Sequence, residues 1–160
     1  MTSAYDFSFH KLAGGEIDLR QFAGKPILVV NVASACGFTP QYRELQALWD
    51  AKKDSGLIVL GVPSNDFGAQ EQGDEETIKN FCDAQYHVTF PMTGKVDVAG
   101  QNRHPFYEWI AKELGAEALP RWNFHKFLIG KDGQIEAAFP SKVTPLGPTM
   151  IAAVEKALNA

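Results

Sequence analysis

Two apolar runs constrain this chain more than any other feature. Residues 27–33 read ILVVNVA and residues 57–63 read LIVLGVP. Each is far shorter than the roughly 20 residues that cross a bilayer. Neither alternates as a strand with one wet face would, so both read as strands covered on both sides, the pattern of parallel sheets. Between them Leu45, Leu48, Trp49 and Lys52 recur at helical spacing, which predicts a helix from Thr39 or Pro40 to about Asp54, closed by Ser55-Gly56. Pro40 suits the first turn of that helix. Strand, helix, strand is a βαβ unit, and it sets the frame for the remaining segments.

On the N-terminal side, Phe7–Leu12 and Glu16–Leu19 flank Gly14-Gly15, a hairpin signal without evident chemistry. Downstream, the polar loop Ser64–Gly73 leaves the carboxyl end of the second strand, and Asp74 caps a helix with Ile78, Phe81, Cys82 and Tyr86 on its apolar stripe. Phe90-Pro91-Met92 reads as a short extended piece. Pro105 opens a helix with Phe106, Trp109, Ile110 and Leu114 on one face, ended by Gly115. Lys126–Gly130 and Gln134–Phe139 form an antiparallel hairpin through Asp132-Gly133, and a last helix from about Pro148 turns Ile151, Val154 and Leu158 inward. The order predicts an α/β architecture, a mixed central sheet flanked by helices, with an N-terminal β-hairpin. A thioredoxin-like fold is the economical reading, in one domain over residues 1–160.

Composition removes several functions. Fifteen Lys and Arg against nineteen Asp and Glu give a formal charge of -4, and no basic run exists to follow a phosphate backbone, so nucleic acid is excluded as an expected partner. The opening MTSAYDFSFHKL lacks the charged-then-apolar layout of a signal peptide, and no segment suits a membrane anchor; the expected location is the cytoplasm. His10, His87, His104 and His125 do not fall at metal-ligand spacing and are read as surface or loop residues. Glu71, Asp74, Glu75 and Glu76 read as a solvated helix start.

Cys36 and Cys82 are the whole thiol inventory. They are too far apart for a CxxC motif and too few for a thiolate zinc site. A static disulfide is disfavoured in a reducing compartment. Two independent thiols, or a disulfide formed only during turnover, remain. Cys36 follows the first apolar strand in Ser34-Ala35-Cys36-Gly37, which predicts an exposed sulfur at a sheet edge, opening the first helix beside its unpaired amides, where a thiolate is stabilised. The Ser64–Gly73 loop and the segment before KFLIG share that edge.

Three blocks then carry more than a class. NVASACGFT at 31–39, FGAQEQG at 67–73 and WNFHKFLIGKDG at 122–133 closely resemble, in order and spacing, the signature blocks of the glutathione peroxidase family. The similarity runs from about Tyr5 to the C-terminus. The resemblance implies a thioredoxin-like fold and a peroxidase needing no metal and no cofactor. It makes Cys36 the peroxidatic residue, with Gln70, Trp122 and Asn123 completing a tetrad around it. Cys82, in the helix after the second block, matches the position of the resolving cysteine in thioredoxin-dependent relatives, although its place beside Ile78 and Phe81 also suits a structural thiol. Ser64 stands where many relatives carry a further cysteine. Gln72 replaces the usual proline after Glu71, which loosens the loop presenting Gln70. The insertion that tetrameric relatives use is missing, which implies a monomer.

The chemistry accounts for this set. A thiolate attacks one peroxide oxygen while the other leaves with negative charge, so uncharged donors must face the sulfur. Gln70 and Asn123 each bring an amide NH2, and the Trp122 indole N–H can only donate. The product is a sulfenic acid that a second thiol resolves. The sequence therefore predicts reduction of hydrogen peroxide and organic or lipid hydroperoxides, with Cys82 closing a disulfide that thioredoxin reduces. The alternatives are a glutathione-dependent peroxidase with Cys82 structural, and a redox sensor that passes oxidation to a partner protein.

Overall fold

The computed structural model describes residues 2–160. Strand β1 (Ser8–His10) and strand β2 (Glu16–Asp18) form the antiparallel N-terminal hairpin. The central sheet comprises β3 (Ile27–Val32), β4 (Ile58–Pro63), β5 (Lys126–Ile129) and β6 (Ile135–Phe139), in the order β4-β3-β5-β6. β3 runs parallel to β4 and antiparallel to β5, and β5 pairs antiparallel with β6, so the sheet is mixed as its element order predicts. Helices α1 (Gln41–Lys52), α2 (Glu75–Tyr86), α3 (Pro105–Leu114) and α4 (Pro148–Leu158) complete the fold. Among the described residues no helix is long and apolar enough to cross a membrane.

Every residue of β3 and β4 is buried, and the pleat of β3 sorts its side chains between two cores. Leu28, Val30 and Val32 join Tyr42, Leu45 and Leu48 of α1, Ile78 and Cys82 of α2, and Met150, Val154 and Ala157 of α4. Ile27 and Val29 face Phe106, Tyr107, Trp109 and Ile110 of α3 together with Phe9 and Ile17 of the hairpin. In α4 the fully buried positions are Met150, Val154 and Ala157, while Ile151 and Leu158 lie at the flank, a rotation of the inward stripe by one position from the sequence expectation.

One expected segment is placed by its bridges, and two further expectations need correction. The piece around Phe90–Met92 stays short and extended, bridging the sheet to the N-terminal segment: Gly61 N–H donates to the Pro91 carbonyl and Gly61 accepts from Thr93 N–H, while on the other side Leu12 N–H donates to the Met92 carbonyl and Gly94 N–H to the His10 carbonyl. Pro91 has no N–H with which to extend a ladder. α1 starts at Gln41, because residues 34–40 are tied into successive tight turns, among them Thr39 N–H to Cys36 O and Gln41 N–H to Phe38 O. Finally, two histidines are structural rather than superficial. The His104 ring stacks on Phe9 at 3.9 Å between centroids, accepts the Phe106 N–H at Nδ1 and donates from Nε2 to the Ser8 carbonyl, which joins α3 to the hairpin. His125 packs against Phe127, with its Nε2 buried and unpartnered.

Two outcomes follow from this packing. A methyl group at Gly61 would run into Met92 Sδ and lie 3.0 Å from Phe90 Cε1, so Gly61→Ala should destabilise the fold by about 1–3 kcal/mol in urea unfolding. Burial, with the Lys126 charge beside it, pulls the His125 imidazole from its ordinary 6.5 down to about 4. The folded state therefore favours neutral His125, and this contribution to stability is complete above pH 6.5 and lost as the pH falls toward 4. Between pH 7.5 and 5, wild type should lose on the order of 1 kcal/mol more than His125→Gln, allowing for solvent at the ring.

Candidate active site

The turn after β3 carries Cys36, and its own hydrogen bonds shape it. Cys36 N–H donates to Thr39 Oγ1 at 2.9 Å, and that hydroxyl donates to the Ala33 carbonyl at 2.8 Å. Phe38 N–H points at Cys36 Sγ, 3.3 Å away. The sulfur is thus addressed by an amide of its own turn rather than by the first turn of α1. Contrary to the sequence expectation, Cys36 is not openly exposed: 8% of its surface is accessible, with Ala33 and Phe124 in the same core.

The second block is fastened directly to this turn. Ala35 N–H donates to the Gln70 carbonyl at 3.1 Å, and Ser34 N–H donates to Glu71 Oε2 at 3.2 Å. Asn65, in the same loop, accepts the Glu71 N–H on its Oδ1 at 2.9 Å. Lys95 Nζ closes the loop from outside by donating to the carbonyls of Glu71 and Gly73. Glu71 corrects the sequence reading most sharply. It is 2% exposed, not part of a solvated helix start, and burial raises its pKa against the opposing pull of Ser34 beside it.

The third block is gripped by a residue that was passed over as one more position in an apolar run. Asn31 of β3 donates from Nδ2 to the Trp122 carbonyl at 3.0 Å, accepts the Phe124 N–H on its own carbonyl at 2.6 Å, and donates its N–H to the His125 carbonyl. Phe124 takes a left-handed backbone, φ 64°, which reverses the chain between the exposed Trp122 and the buried core ring at 124. A lone polar residue inside ILVVNVA was the available signal.

These contacts bring Gln70, Trp122 and Asn123 together. Asn123 Nδ2 donates to Gln70 Oε1 at 2.9 Å, which occupies the Gln70 oxygen and turns its NH2 away from Asn123. The Trp122 ring, 37% exposed, packs near Phe67 and leaves no room for a side chain at Gly68, where an added Cβ would lie 2.9 Å from Trp122 Cη2. Trp122 and Phe38 border the same open, mainly apolar cavity of about 500 Å³, with Leu119 and Pro140. Asn123 is fully buried and its carbonyl accepts the Ser141 hydroxyl at 2.5 Å. Behind it, the buried Lys126 Nζ donates to Gln41 Oε1 at 2.7 Å and to the carbonyls of Ser141 and Val143. Burial pulls this amine down to about 7, with the Glu44 carboxylate acting against the shift. Its three acceptors match the three N–H groups of an ammonium, so the hydrogen bonding also holds the charge.

Cys82 lies elsewhere on the same core. It is 2% exposed within the intact α2 and borders a different cavity, of about 440 Å³, with Trp49, Val88, Phe90 and Met92. Both thiols are free. Burial, followed by the charges of Glu71 and Asp83, pushes the Cys82 thiol up to about 11, with the Tyr42 hydroxyl opposing. That hydroxyl is itself buried without a hydrogen-bond partner.

Residues 4–111 match the family model described as Glutathione peroxidase. Over 149 residues the chain is 44% identical to the hydroperoxy fatty acid reductase gpx1 of Synechocystis sp., covering 88% of each sequence. Over 159 residues it is 43% identical to the glutathione peroxidase-like peroxiredoxin GPX5 of Chlamydomonas reinhardtii, covering 98% of this chain and 96% of the relative. Among solved structures, Trgpx in its apo form superposes with a TM-score of 0.79 at 38% identity, over 99% of this chain and 97% of the other. A thioredoxin family thiol:disulfide interchange protein from Chlorobium tepidum shares the fold alone, with a TM-score of 0.70 at 16% identity over 98% of this chain and 96% of the other. With this fold, these blocks and these relatives, the chain belongs to the glutathione peroxidase family, a family of peroxidases that act on hydroperoxides.

Proposed function

We propose that this protein is a two-cysteine thiol peroxidase recycled by thioredoxin. Cys36 attacks the peroxide, and Gln70, Trp122 and Asn123 supply uncharged donors for the leaving oxygen. One observation carries this reading: the Gln70–Asn123 amide pair is fastened to the Cys36 turn through Ala35 N–H, while Trp122 enters from the segment held by Asn31. The apolar cavity between Phe38 and Trp122 suits the tails of organic and lipid hydroperoxides as well as hydrogen peroxide. A relative named for reducing hydroperoxy fatty acids supports that range.

In this reading the Cys36 sulfenic acid condenses with Cys82, and thioredoxin reduces the resulting disulfide. Cys82 is enclosed in α2, so α2 must open locally before its sulfur meets Cys36. Relatives named as peroxiredoxins support the thioredoxin route. The protein works as a monomer in a reducing cytoplasm, where two free thiols persist. The burial of Cys82 and its thiol near 11 favour a second reading, in which glutathione attacks the sulfenate and Cys82 only packs.

Peroxide-dependent NADPH oxidation, coupled in parallel through thioredoxin and through glutathione with their reductases, separates the two. Wild type should turn over with thioredoxin, and Cys82→Ser should lose nearly all of that rate. Equal turnover of both proteins with glutathione would make Cys82 structural. Asn123→Ala should lower kcat/KM for peroxide by about 10²–10³, the usual effect of removing one donor from an anion-stabilising site.

A further inference from the structure

Between the two cysteines lies a group of buried polar atoms that the peroxide step does not use. Glu71 Oε2 is engaged by Ser34 N–H, but Oε1 is buried without a partner. Ser34 Oγ, two residues before Cys36, is also buried without a partner, as is the Tyr42 hydroxyl beside Cys82. Tyr42, Cys36 and Cys82 belong to one core. A half-paired carboxyl, 2% exposed, is costly to keep unless something arrives to use it.

We propose that Glu71 is the proton shuttle of the resolving step, taking the Cys82 thiol proton and returning it to the oxygen that leaves Cys36 by way of the Ser34 hydroxyl. This rests on Cys82 being the resolving residue. Because Glu71 is anchored to Ser34, any thiol brought to the Cys36 sulfur arrives beside this carboxyl. Once α2 opens and burial no longer holds the thiol up, Cys82 returns toward the ordinary thiol range of about 8.5 and is still mostly protonated at pH 7, so a nearby base speeds resolution.

The step balances without an outside reagent. The Glu71 carboxylate removes the Cys82 proton, and the sulfur lone pair forms the S–S bond. The Cys36 S–O bond breaks with its electron pair on oxygen. Ser34 Oγ donates its proton to that oxygen and takes the one held by Glu71, releasing water and restoring the carboxylate. The Cys82 sulfur is oxidised and the Cys36 sulfur reduced, each to the disulfide level. The groups facing Glu71 are Ser34 from the Cys36 turn, Tyr42 from α1, Cys82 from α2 and Lys95 from the segment after Thr93, whose charge favours the carboxylate. Burial raises the Glu71 pKa, which brings it closer to the acid strength a shuttle at neutral pH requires.

The test mixes one equivalent of hydrogen peroxide with wild type, Glu71→Gln and Cys82→Ser, quenching at intervals. Mass spectrometry then counts dimedone-trapped Cys36 sulfenate and the Cys36–Cys82 disulfide. Gln keeps an acceptor for Ser34 N–H and removes a buried ionisable group, so its unfolding temperature at pH 7 should be no lower than that of wild type. The rate of disulfide formation relative to sulfenate formation should fall at least tenfold in Glu71→Gln. Its resolution rate should climb several-fold to about tenfold per pH unit from pH 7 toward 8, following the thiol alone, where wild type levels off. Resolution as fast as wild type overturns the shuttle. Equal slowing of both steps also overturns it, because Glu71 then only holds the Cys36 turn. If wild type, like Cys82→Ser, accumulates sulfenate with no disulfide, the two-cysteine reading itself fails and the shuttle falls with it.

Discussion

Asn31 is the constraint on which the site depends. A polar side chain in the middle of the central strand needs partners; here Nδ2 donates to the Trp122 carbonyl, Oδ1 stays buried without a partner, and the Asn31 backbone pairs with Phe124 and His125. One residue therefore fixes the third sequence block against the end of the strand that delivers Cys36. The same block is held a second time by Ser141, whose hydroxyl donates to the Asn123 carbonyl. The buried Lys126 then fastens the same strap to Gln41 at the start of α1. Polar contacts, rather than apolar packing, set where the site residues stand.

The sheet was legible in the sequence because apolar runs and turn residues are local signals. ILVVNVA and LIVLGVP became the buried parallel pair, and Asp132-Gly133 became the turn between β5 and β6. The helices were also found, most of them with their caps, and only the start of α1 was displaced. What periodicity missed were features set by contacts distant in sequence. Glu71 looks solvated in a run of acids, but Ser34 and Asn65 draw it inward from elsewhere in the chain. Cys36 was expected to open a helix; the Thr39 side chain instead folds residues 34–40 into turns and postpones α1. No local pattern encodes such interceptions. The cluster of Gln70, Trp122 and Asn123 was legible only jointly, as three blocks in a family order, since each residue alone reads as ordinary loop or core.

Charge is handled differently on the two sides of the site. Lys126 is buried with a full set of acceptors, a rigid arrangement that suits a residue whose task is to hold others. Glu71 is buried with one oxygen satisfied and one bare, an arrangement with little energetic reward in the resting protein. The contrast separates a cation with a full set of partners from a carboxyl with one oxygen left unpaired.

The end of α2 has a consequence of its own. The Cys82 carbonyl accepts both the His87 N–H, where the chain turns left-handed at φ 50°, and the Val88 N–H. The residue that carries the second thiol is thus also the acceptor that closes the helix. Displacing Cys82 releases both of those bonds at once, so the C-terminal turn of α2 and the residues after it form a cooperative unit of local unfolding. Amide exchange at His87 and Val88 thereby reports the freedom of a sulfur atom five and six residues back.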